Sequence, residues 1–240
     1  MDYNKSYDYT ENQSLDFSAA FSKLMRNVYA WMASGLLMTA LTAMTVAKHE
    51  EWVYALATNR LLFWGLMIAE LGLVFFLSAR IMKMSFMAAG LSFAAYAIIN
   101  GITLSFIFLA YTTESIAQTF FVTAGTFAAM SAVGFFIKKD LSAMGRILTM
   151  LLIGLIIASI VNIFMASTGL AMILNYVGVL LFVGLTAYDT QKIKQMLLIT
   201  SQQYGVSDAT NKVALMGSLS LYLDFINLFL YLLRFMGDRK

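Results

Sequence analysis

The sequence predicts an all-α integral membrane protein with seven transmembrane helices, and three observations carry that reading. Of 240 residues, 60% are hydrophobic and only 12% charged, too little charge to cover a water-facing surface of this size. Seven apolar runs come near the length of about 20 residues that a helix needs to cross about 30 Å of hydrocarbon. Each run is continuously apolar, whereas barrel strands would alternate over about ten residues.

In chain order, residues 1–24 are polar and open with Asp2, Asp8, Glu11 and Asp16 against Lys5. They lack the basic start and early apolar core of a secretory signal, and are expected to form an uncleaved, poorly ordered cytoplasmic tail. Residues 25–240 are expected to form a single seven-helix domain. The runs fall at Val28–Ala47, Leu61–Ala79, Ser85–Ala110, Ile116–Ile137, Ile147–Ala166, Leu170–Tyr188 and Leu219–Phe235. With no proline in the chain, the commonest source of kinks is missing, and breaks are expected at glycines such as Gly101 or Gly125. The longest connection, Lys192–Gly217, is read as a polar loop too short to fold alone.

Orientation follows the lysines and arginines. Seven spans put eleven on the side of the amino end and five on the other, so the amino end is expected in the cytoplasm and the carboxyl end outside. The expected location is a bacterial inner membrane, with the lipid bilayer as the constant partner. No dense basic cluster stands beside aromatics in a polar segment, which speaks against nucleic acid. The chain has no cysteine and one histidine, His49, so disulfides, thiol chemistry and a zinc site are not expected.

Acids inside the runs point to function, because a charge at mid-bilayer costs about 2.5–3.5 kcal/mol on insertion scales. Asp224 lies inside the last run, and Ser220, Asp224, Asn227 and Tyr231 share one face at helical spacing. Asp189 closes the sixth run, where Asn175, Gly178, Phe182 and Asp189 share a face and Gly178 admits a close neighbour. If the last helix enters the hydrocarbon near Leu219, both acids lie at similar depth and can meet; entry at Val213 would separate them. Glu70 lies near the middle of the second run and Arg80 at its end. Asn100, with Ser92 and Tyr96, marks a stripe on the third. The plain alternatives are helix cross-links for the Asn, Ser and Tyr residues and a topology anchor for Arg80.

Two carboxyls in contact cannot both ionise cheaply, so they tend to share one proton. Losing it leaves two charges that must separate or recruit a cation, either Arg80 or a metal ion. Oxygen ligands of this kind suit Ca2+, with Asp189 and Asp224 as transient ligands and Glu70, Asn100 and Asn227 as candidates along an ion path.

The segments GLTAYDTQKIK (Gly184–Lys194) and LSLYLDFINLFLYLLRF (Leu219–Phe235), supported by NGITLSF (Asn100–Phe106), KKDLS (Lys138–Ser142) and AELGLVFFLSAR (Ala69–Arg80), resemble the transmembrane Bax inhibitor motif family, also called Bax inhibitor-1, and its small bacterial members of the YetJ type. The resemblance runs from the second span to the end. It implies two three-helix layers around a central seventh helix, and a pH-sensitive calcium leak. It further implies that Asp189 and Asp224 form the pH-sensing pair, that Arg80 exchanges with that pair on opening, and that Glu70 borders the ion path. Basic residues around Arg80 are fewer than the family pattern has.

A calcium/proton exchanger would need the same acids and stands as an alternative. An intramembrane aspartyl protease would also pair a Tyr-Asp helix with a second Asp. Its Gly-x-Gly-Asp element is Leu-Tyr-Leu-Asp here, and a chain without proline lacks its Pro-Ala-Leu element. The expected role is therefore transport rather than catalysis, with no cofactor, with calcium and protons as the species handled, and with membrane-protein partners left open.

Overall fold

The computed structural model describes the backbone of residues 3–240 and the side chains from Ala20 onward, Glu50 excepted. Helices α1 (Tyr3–Ala47), α3 (Arg60–Arg80), α4 (Phe86–Leu104), α6 (Thr113–Phe136), α7 (Ser142–Met165), α8 (Thr168–Tyr204) and α9 (Asp208–Met236) carry the spans; α2 (Glu50–Thr58) and α5 (Ile107–Ala110) are short connecting pieces. Seven helices, the third of them α4 with α5, are long and apolar enough to cross a membrane. Polar side chains cap their starts: Asn59 accepts from the amides of Leu61 and Leu62, Ser85 and Ser167 cap α4 and α8, and Ser207 with Thr210 forms a reciprocal box at α9. Such caps satisfy amides that have no partner within the helix.

α9 is the axis. It packs against α1, α4, α6 and α8, while α3 leans mainly on α4 and α7 on α8. This gives one layer of α1, α3 and α4 and another of α6, α7 and α8, although α1 also reaches α8. In the most apolar 18-residue window of α9, 72% of residues are buried, against 6% in α3 and 11% in α7, so the peripheral helices leave most of their apolar surface to lipid. Ser218 shows how the centre is fixed, its hydroxyl donating to the carbonyls of Val28 on α1 (2.9 Å) and Ala214 (2.7 Å).

Two expectations change, and two parts of the chain gain detail. Most of the expected tail, residues 1–24, lies outside the described side chains, but α1 has entered the fold by Leu24, which is fully buried. The connection after the first span holds the helix α2. The third span breaks at Ser105–Phe106 rather than at a glycine. There the Ser105 hydroxyl donates to the Ile102 carbonyl at 2.7 Å, and such back-bonding bends helices. Gly101 serves contact instead, because a Cβ on it would come 2.6 Å from the Thr39 carbonyl oxygen of α1.

The largest change is at Lys192–Gly217, most of which is helix. α8 continues to Tyr204 and α9 starts at Asp208, leaving a turn of three residues with Gly205 at φ +60°. Hydropathy stops at the first charges, but Ile193, Leu197 and Ser201 continue a buried stripe at four-residue spacing, and an amphipathic helix needs no more than that. The chain ends on the face opposite this turn. There the Thr112 amide donates to the Asp238 carbonyl (3.0 Å) and the Lys240 amide to that of Ala110 (3.1 Å). Helix α9 thus runs unbroken from one face of the bundle to the other.

Candidate functional site

The site lies along the seam between α8 and α9, whose register is set by glycines. A Cβ on Gly217 would come 2.9 Å from Ile193, and one on Gly178 would come 2.5 Å from the Tyr231 ring. Counting along the antiparallel pair from these two contacts puts Asp224 level with Leu185 and Thr186 of α8. Asp189 lies on the same stripe one helical turn nearer the hairpin tip, an axial offset of about 5 Å. Both helices run on past the expected loop bounds, α8 to Tyr204 and α9 back to Asp208, and the two acids stay within about one helical turn of each other along the seam.

Asp224 is 5% exposed, and its Oδ2 has no hydrogen-bond partner among the described residues. A buried polar atom without a partner is rare and costly. Asp189 is half-buried. Electrostatically, Asp189 is the charge that acts on Asp224, and Lys192 is the one that acts on Asp189. Lys192 is exposed, its ammonium 5.8 Å from the centre of the Tyr188 ring.

The turn bearing Asp189 is clamped on three sides. A Cβ on Gly134 of α6 would collide with the Ala187 carbonyl, and one on Gly145 of α7 with the Tyr188 ring. The Thr190 hydroxyl donates to Ser131 at 3.4 Å. Gln191 accepts from the Leu141 amide (2.8 Å) and donates to the Lys139 carbonyl (2.9 Å), holding the connection between α6 and α7. In that connection the Ser142 hydroxyl and amide hold the Asp140 carboxyl below its usual range. The sequence reading missed Gln191, whose signal is its place beside Asp189 in GLTAYDTQKIK.

Glu70 and Asn100 do come together, but on the other side of α9. The Asn100 amide donates to Glu70 Oε1 at 2.6 Å and the Thr103 hydroxyl to Oε2 at 2.8 Å. Asn100 is buried, and its Oδ1 has no partner among the described residues. Tyr96, one turn away on α4, packs edge-on against Tyr222, and Tyr222 and Thr39 share a hydrogen bond of 2.7 Å. This polar cluster links α3, α4, α1 and α9 two residues from Asp224. Thr39, Thr103 and Tyr222 were not foreseen, because their partners lie on other helices. Asn227 is turned inward on its own helix, its amide donating to the Leu223 carbonyl at 2.8 Å.

Arg80 is not brought to the aspartates. It is exposed, at the end of a peripheral helix in the opposite layer, and it forms no ion pair among the described residues. The turn after it is held by Lys212, whose ammonium donates to the Met84 carbonyl at 3.1 Å. Lys212 is twelve residues before Asp224, about 18 Å along α9. Among the described residues no three His, Cys, Asp or Glu side chains converge into a metal cage.

Residues 21–240 match the family described as inhibitor of apoptosis-promoting Bax1. The chain belongs to the Bax inhibitor-1 family. It is 48% identical over 224 residues to the inner membrane protein YbhL of Escherichia coli K12, covering 92% of this chain and 94% of that one. A Deinococcus radiodurans protein is 42% identical over 231 residues, covering 96% and 95%. One from Rickettsia prowazekii is 39% identical over 240 residues, covering 100% and 99%. The Bax inhibitor-1 match takes in both aspartates, Glu70 and Arg80.

Proposed function

We propose that the protein is a pH-sensitive calcium leak of the bacterial inner membrane, its amino end in the cytoplasm, gated by the proton shared between Asp189 and Asp224. The observation that carries this reading is Asp224 Oδ2, buried and without a partner, on the seam where Asp189 is the neighbouring charge. With one proton on the pair, the two carboxyls tolerate each other and the α8–α9 seam stays shut. When the proton leaves, two anions face each other in low dielectric and repel. The seam then widens, and the carboxylate oxygens offer themselves to a divalent cation that prefers oxygen. Glu70 and Asn100, across α9, supply a further acid and an amide oxygen along the way. The role is passage rather than chemistry on a substrate.

Calcium flux into liposomes containing the purified chain tests this. Wild type should pass several-fold less calcium at acidic than at neutral pH, and Asp224→Asn or Asp189→Asn should flatten that response. A variant that keeps the full response removes the pair from the gate. Calcium driven uphill by an imposed proton gradient would assign exchange instead.

A further inference from the structure

Helices α1 and α6 belong to opposite layers and are not among the helix pairs in extensive contact. Between their inner halves lies a cavity of about 630 Å3 whose floor includes Phe225 of α9. One wall is a file of small residues on α6, Ala124, Ala128 and Ala132 at four-residue spacing, about 12 Å long. Ala128 and Ala132 are exposed, so the cleft opens sideways into the surrounding hydrocarbon.

Its chemistry changes along its length. At mid-membrane it is apolar and closed by aromatics, with the Phe225 ring 5.5 Å from Phe127 and 5.6 Å from Phe120. Towards the end where basic residues collect, Arg26 lines it. Beside that end, Lys194 donates to the Phe135 carbonyl at 2.7 Å and stands 4.8 Å over the Phe135 ring, and Phe135 is itself a lining residue. No acid occurs among the lining residues described. An apolar slot open to lipid, with Arg26 lining its head and Lys194 next to the lining residue Phe135, matches one kind of molecule, since basic pockets between spans on the cytoplasmic side bind anionic head groups.

We propose that the α1–α6 cleft binds an anionic phospholipid of the cytoplasmic leaflet, its phosphate at Arg26 and Lys194 and one acyl chain along the alanine file to Phe225. The bound chain touches the residue next to Asp224, so the lipid bears on the helix that carries the buried acid. The proposal does not depend on which ion crosses.

Native mass spectrometry of the full chain, purified with equal amounts of phosphatidylglycerol and phosphatidylcholine, tests it. Phosphatidylglycerol should be retained in preference, and Arg26→Gln should cut that preference about fivefold, the worth of one cation near an anionic surface. Ala128→Trp, which fills the slot, should lower retention of both lipids; Ala132→Trp, one turn nearer the end lined by Arg26, does the same if the first variant does not fold. Equal retention of the two lipids, a preference untouched by Arg26→Gln, or retention undiminished in both tryptophan variants would each overturn the proposal. So would a second copy of the chain held in place of lipid.

Discussion

Gly178 and Tyr231 lie so close that a single added carbon on the glycine would come 2.5 Å from the ring. That contact, with Ile193 on Gly217 near the hairpin tip, fixes how α8 slides along α9 and so decides whether Asp189 and Asp224 face one seam. Gly178→Leu should displace Tyr231 and lower stability by about 1–3 kcal/mol, the usual cost of overpacking. If register sets the pair, the acid response of the calcium flux should also weaken while Asp224 remains in place. Thermal unfolding and flux on the same preparation measure both.

Arg80 separates two accounts of the open state. Exposed and without an ion pair among the described residues, it should contribute little here, and Arg80→Gln should change stability by no more than about 0.5 kcal/mol. If Arg80 travels to the aspartates on opening, the same variant should lose flux at neutral pH and keep the closed state at acid pH. Flux unchanged at both values would leave Arg80 as a topology anchor.

The Glu70 cluster should behave as one unit. Asn100→Ala strips Glu70 Oε1 of its donor at membrane depth, a loss of about 1–3 kcal/mol. Glu70→Gln removes the charge with the shape kept, and adding it to Asn100→Ala should cost less than the two changes summed. A fully additive double variant would show that the two side chains do not depend on each other.

Gln191 anchors the connection between α6 and α7 through two backbone bonds. Gln191→Leu should speed hydrogen exchange across residues 137–141 and loosen the clamp on Asp189. Asp140 gives the same connection a pH limit. Its carboxyl is held low by Ser142, so its contribution is in place above the ordinary carboxylate value and is lost as the pH falls through the lower folded one. Protection factors in this stretch, taken against the intrinsic exchange rate at each pH, should therefore fall in acid in wild type, and the fall should vanish in Asp140→Asn.

The sequence displayed the spans because a bilayer demands long apolar helices, and it displayed the two aspartates because charge stands out against such a background. It hid where α8 and α9 end, since an amphipathic extension such as Ile193–Leu197–Ser201 reads as polar to a hydropathy count. Helix α9 therefore starts before the run Leu219–Phe235, and α8 ends after the run Leu170–Tyr188. Partnerships across the chain were out of reach. Nothing near Thr39 announces Tyr222, and nothing near Glu70 announces Thr103, because those contacts depend on how layers settle around α9. Arg80 was offered to the aspartates as a cation for the open form, on its position in the sequence and on family likeness, and the packing of α3 against α4 keeps it elsewhere in this structure.

The axis of the bundle is also the last of its seven spans to leave the ribosome. Six helices must wait in the bilayer around an empty slot, their inner faces on lipid or on one another, until residues 208–236 arrive to fill it. A message cut short before Asp208 would thus yield a chain with every wall and no centre. Such a product is expected to fall to quality-control proteases.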